Sequence, residues 1–138
     1  MLAFKDFKLM EWLGKKENSL DPILVDVIRD VDQLVEKERM KPVITSLYRE
    51  PDGSSGVHTT NPLRAADFRS HGFNDGMINR IVDAVNNDWC YDPNREAMRV
   101  MMHHDVGKGA HFHIQVHPST QRCTKLSMAH KSSCCRDK

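Results

Sequence analysis

A chain of 138 residues is the size of one domain and long enough to bury a core without disulfide staples. Its net charge of +1 supplies no field that would recruit nucleic acid or an anionic membrane. No apolar run approaches the length of a membrane span, so membrane insertion is not expected.

Residues 4–13 carry Phe4, Phe7, Leu9 and Trp12 as packing residues and read as helical or irregular. Asp21-Pro22 opens the clearest helix, with Asp as N-cap and Pro at the first helical position. Ile23, Leu24, Val27, Ile28, Val31, Leu34 and Val35 follow at helical spacing. The helix is expected to end between Glu38 and Met40, ahead of Lys41-Pro42. Residues 43–47 form a short β-rich run. Residues 51–56, Pro-Asp-Gly-Ser-Ser-Gly, are a loop by composition. Residues 63–69 read as a strand.

Asn74 can cap a second helix with Met77, Ile78, Ile81, Val82 and Val85 on one face. It is expected to end at Trp89-Cys90-Tyr91. Residues 98–104 and 111–117 read as two strands joined by a hairpin loop, in which Gly107 and Gly109 can absorb unusual dihedrals. Pro118 closes the second strand. The order predicts an α+β domain over residues 1–118, a small antiparallel sheet packed on helices. Residues 119–138 are polar, basic and rich in Ser and Cys, and are expected to be a disordered tail. Adjacent Cys134-Cys135 and the lack of a Cys-x-x-Cys pair argue against a classical zinc ribbon and favour free thiols.

The chemistry concentrates in His111-Phe112-His113, His58 and Asp67. Histidines at i and i+2 of a strand share a face, because strand side chains alternate. With His58 and Asp67 they offer nitrogen and oxygen ligands of the kind zinc prefers, and three protein ligands with an open position describe a catalytic rather than a structural zinc site. His113 could equally be a hydrogen-bonded core histidine. Asp67 could be balanced by Arg64, Arg69 or Arg49 in place of a metal. Gly107-Lys108-Gly109 lacks the strand–loop–helix context of a phosphate loop and reads as a turn.

Three segments, in order, resemble the motifs of the LAS zinc peptidases, which share a fold with the hedgehog signalling domain. Thr45-Ser46-Leu47-Tyr48-Arg49 is similar to that family's Ser-Gly-Tyr-Arg segment. Gly56-Val57-His58 with Ala65-Ala66-Asp67-Phe68-Arg69 resembles its Ser-x-His…Asp segment, and His111-Phe112-His113 its last motif. The resemblance spans roughly residues 21–118.

It implies a hedgehog-like fold, Zn2+ held by His58, Asp67 and His113, and Arg49 as stabiliser of the scissile carbonyl oxygen or holder of a substrate carboxylate. His111 would line the site or bind the developing oxyanion. The implied reaction is metal-assisted hydrolysis of an amide, with a base passing a proton to the leaving amine. The implied substrates are peptidoglycan stem peptides, cut as by a carboxypeptidase or a phage endolysin.

Residues 1–16 lack the features of a secretory signal. A cytoplasmic monomer that reaches the wall through a holin or at lysis is therefore expected. Two departures stand out. His58 and Asp67 are further apart than the family's usual spacing, and the extra length coincides with residues 59–62, which could loop out. Ala110 also stands where many members carry an acidic base, and Asp105 or His111 is the expected substitute. The alternative is a catalytically inactive zinc-binding domain of the same fold, acting as a cell-wall-binding or phage structural module.

Overall fold

The computed structural model describes residues 2–5, 11, 19–47, 62–105 and 109–123. Within them the chain is α+β. Five strands form one mixed sheet in the order β1-β2-β3-β6-β5: β1 (Ala3–Phe4), β2 (Val43–Ser46), β3 (Ala65–Arg69), β5 (Met101–Asp105) and β6 (Ala110–Gln115). The helices α1 (Pro22–Lys37) and α2 (Asp75–Asp88) contribute to the same core. A separate two-stranded ribbon pairs β4 (Trp89–Cys90) with β7 (Gln121–Arg122). No described helix is long and apolar enough to cross a membrane.

The helices start where their caps place them. The Asp21 carboxylate accepts the Ile23 N–H at 2.9 Å, and the Asn74 side chain accepts that of Met77 at 2.9 Å. The apolar stripe of α1 buries Leu24, Val27, Ile28, Val31 and Val35. Arg39, at φ 61°, turns the chain out of α1 while the Met40 N–H reaches back to the Val35 carbonyl.

Register fixes the two sheet faces. Met101 stands opposite Ile114, and Phe68 opposite Phe112. These four side chains belong to the core shared with the helices. The alternate residues point the other way, so Asp67, His113 and Met102 share the opposite face with Arg69, His111 and His104. Asn86 of α2 is buried and seals β5 at the sheet edge. Its amide donates to the Met101 carbonyl (2.9 Å) and accepts the Met101 N–H (3.0 Å), as a neighbouring strand would.

Four expectations need correction. The sheet is mixed rather than antiparallel, because Ala3–Phe4 forms a strand parallel to β2. This pairing holds through main-chain bonds such as Ala3 N–H to the Pro42 carbonyl (2.9 Å), which side-chain patterning does not encode. Met98 precedes the strand expected from that residue, which begins at Met101.

The ordered chain also continues past Pro118. Thr120 is buried, its hydroxyl donates to the Tyr91 carbonyl at 2.7 Å, and β7 pairs with β4. Arg122 lies over the Trp89 ring (4.3 Å to the centroid) and pairs with Asp30 at 2.9 Å, so a basic residue supplies the anchor. Finally, Cys90 is disulfide-bonded rather than a free thiol.

Candidate metal and catalytic site

Strands β3 and β6 run antiparallel with Asp67 directly opposite His113. Both residues are buried, Asp67 at 2% exposure and His113 at 7%. A carboxylate so enclosed needs compensation. Its Oδ1 lies 2.8 Å from His113 Nδ1, and its Oδ2 lies 3.6 Å from His111 Nε2. One carboxylate thus faces both imidazoles of the His-x-His motif. Arg64, one of the cations considered for this role, turns instead to the helix-capping Asp21 at 3.4 Å.

The outward nitrogens are also engaged. His111 Nδ1 lies 3.3 Å from the Gly109 carbonyl. A carbonyl can only accept, so that nitrogen donates. His113 Nε2 faces Gln115 Oε1 at 3.2 Å, and Gln115 Nε2 donates to the Arg99 carbonyl at 3.1 Å. His104, across β5, completes a group of three rings, with its centroid 4.9 Å from that of His111 and 5.5 Å from that of His113. Burial, with the nearby rings of His113 and His111, pushes the His104 imidazole below the ordinary histidine value.

A β-bulge lies beside this group. Ile44 pairs with Phe68 and Ser46 with Asp67, so β2 shifts register next to the carboxylate. The Thr45 hydroxyl reaches the Asp67 carbonyl oxygen at 3.4 Å.

The sequence-derived residues divide into three groups. Asp67, His111 and His113 come together on one face. Arg49 and His58 lie outside the described residues. Asp105 is separated from the site: it pairs with Ala110 at the turn end of the hairpin and alternates with His104, so its side chain leaves on the other face. There its carboxylate accepts the Gly109 N–H at 3.1 Å, and Gly109 adopts φ 94°. Asp105 therefore organises the turn, and the expectation that it acts as base beside His111 is corrected.

Gln115 is an addition that motif matching missed, and His104, one of the further imidazoles the sequence offers beside His111 and His113, joins the site. Parity with His111 and His113 along the paired strands was the signal that could have placed both there. His103, by contrast, points to the helix side, where its Nε2 meets the Ser70 hydroxyl at 2.9 Å.

Asp67 and His113 suit a divalent metal in donor chemistry. Two ligands of one tetrahedral zinc stand roughly 3.3 Å apart at ordinary Zn–N and Zn–O lengths. The 2.8 Å separation here is that of a hydrogen bond, about half an ångström shorter than that edge, so the pair would open slightly to take a metal. Among the described residues, no group of three histidine, cysteine or carboxylate side chains forms a metal cluster. The described residues thus supply two ligands of the expected three, and the third, His58, lies outside them. Comparison with protein-family models, curated proteins and solved structures finds no significant match to this chain.

Proposed function

We propose that this protein is a zinc-dependent peptidase of the LAS type that hydrolyses amide bonds in peptidoglycan stem peptides. The observation that carries this reading is the pairing of buried Asp67 and His113, with donor atoms 2.8 Å apart on one sheet face. Their order along the chain, with His58 before them, supports it. In this reading Asp67, His113 and His58 hold the metal. Zinc so held supplies Lewis-acid polarisation of a carbonyl and acidifies water at neutral pH.

The chain's own groups do the rest. Arg49 holds a substrate carboxylate or the developing oxyanion. His111 presents Nε2 on the Asp67 side of the site while Nδ1 donates to the Gly109 carbonyl, which orients the ring. That makes His111 Nε2 the group to accept a proton during attack and return it to the leaving amine.

The test is a digest of purified peptidoglycan of several wall chemistries, read by mass spectrometry. Stem-peptide fragments that vanish with chelator and return with zinc are the expected result. Zinc-loaded, folded protein that releases no fragments would reject the enzyme. A second reading, a non-catalytic zinc module that binds cell wall, is favoured by one observation: Ala110 supplies no carboxylate, and Asp105 faces away from the site. That reading expects wall binding without cleavage.

A further inference from the structure

We propose that Gln115 is a positioning residue: it keeps the ring proton of His113 on Nε2 and thereby turns the Nδ1 lone pair toward Asp67 Oδ1 as a metal ligand. The inference deepens the zinc reading above and rests on it.

The chain of hydrogen bonds has only one direction. The Arg99 main-chain carbonyl is an acceptor, so the group 3.1 Å from it must be the amide nitrogen of Gln115. The amide oxygen is then the end that faces His113 Nε2 at 3.2 Å, and an oxygen there accepts. Nε2 must carry the N–H. The Gln115 main chain is fixed as well, because its N–H donates to the Val100 carbonyl at 2.9 Å. Opposite it on β3 stands Ala65, whose small side chain leaves room for the longer one. Gln115 is itself buried at 7% exposure.

Without metal, a proton held between His113 Nδ1 and Asp67 Oδ1 makes their 2.8 Å contact a hydrogen bond. With the other ring proton kept on Nε2, zinc can take the place of that shared proton, and the Nδ1 lone pair becomes its ligand. Metal-bound histidines ordinarily donate their second ring nitrogen to an oxygen acceptor, which sets tautomer and orientation. Gln115 meets that requirement with a neutral group whose own orientation is locked by the main chain. Sequence places it two residues after His113, on the same strand face.

The experiment combines zinc affinity, measured by competition with a chromophoric chelator, with nitrogen-15 NMR of the histidine rings. Wild-type protein is expected to bind zinc with His113 protonated at Nε2. Gln115→Met, which removes the acceptor at similar length, is expected to bind zinc roughly 10–100-fold more weakly. Gln115→Glu, which keeps an acceptor oxygen, is expected to recover most of that loss.

Zinc-loaded wild type with the His113 proton on Nδ1, or Gln115→Met with unchanged affinity, would overturn the role of Gln115 and leave the zinc reading standing. Wild type that binds no zinc would overturn both. The wild-type NMR measurement decides the tautomer even if Gln115→Met fails to fold.

Discussion

Asp105 and His111 sit at the same end of the β5–β6 hairpin, yet their side chains leave the sheet on opposite faces. Asp105 pairs with Ala110 and His104 with His111, so one step along either strand reverses the face. Asp105 is spent on the turn, where it accepts the Gly109 N–H. Asp105→Asn keeps an acceptor oxygen in that place. On the peptidase reading proposed above, it is expected to leave turnover of a stem-peptide substrate within about threefold of wild type, as befits a group outside the transition state. Steady-state assays of the variant check this, and a loss of several orders of magnitude would return Asp105 to the chemistry.

The Asp67–His113 pair calls for a double-mutant cycle. Breaking a buried pair from one side leaves the other group without its compensation, a cost of about 3 kcal/mol or more. Asp67→Asn and His113→Ala are each expected to destabilise the protein by that order. The double variant is expected to fall short of the sum by at least about 1 kcal/mol, because the two residues share one interaction. Urea unfolding of the four proteins measures the coupling, and strict additivity would mean that the pair is not energetically linked.

His103 gives the fold a dependence on pH. Burial, and secondarily the charge of His111, hold its imidazole below the ordinary histidine value. The unfolded chain therefore takes up a proton first as pH falls. Stability is full above the unfolded value of about 6.5 and declines as pH drops through it, levelling off only below the lower folded value. Unfolding free energies from pH 7.5 to pH 5 are expected to fall in wild type and to fall less steeply in His103→Asn. Equal slopes would assign the acid sensitivity to another group.

Asn86 holds Met101 by both main-chain groups, and Met101 is fully buried. Truncation to alanine strands a buried N–H and a buried carbonyl. Asn86→Ala is expected to cost about 2–4 kcal/mol. It should also speed amide exchange at Met101 relative to Ile114 of β6, which lies inside the sheet between β3 and β5. Hydrogen exchange resolves the two positions, and unchanged protection at Met101 would show that Asn86 does not seal the edge.

Much of this fold was legible in the chain because its signals are local. Caps at Asp21 and Asn74 and the apolar stripes after them define both helices within one stretch of sequence each. Alternation alone placed His111 and His113 on a common face of β6. Asn86 was less legible: a polar residue beside Val85 reads as exposed until Met101 is brought against it.

Register and partner choice belonged to the tertiary structure. Asp67 meets His113 across 46 residues, and no periodicity within β3 or β6 specifies that pairing. The orientation of Asp105 followed from the hairpin register, where a slip of one residue would have turned it toward His111. The parallel pairing of β1, and the capture of Arg122 by Trp89 and Asp30, likewise came from distant groups meeting. Sequence by itself determined which residue types could bind a metal and which strand offered two of them. The antiparallel pairing of β3 with β6 decided which carboxylate faced those imidazoles, because only in the assembled sheet does buried Asp67 stand opposite His113, where its charge needs a partner within reach.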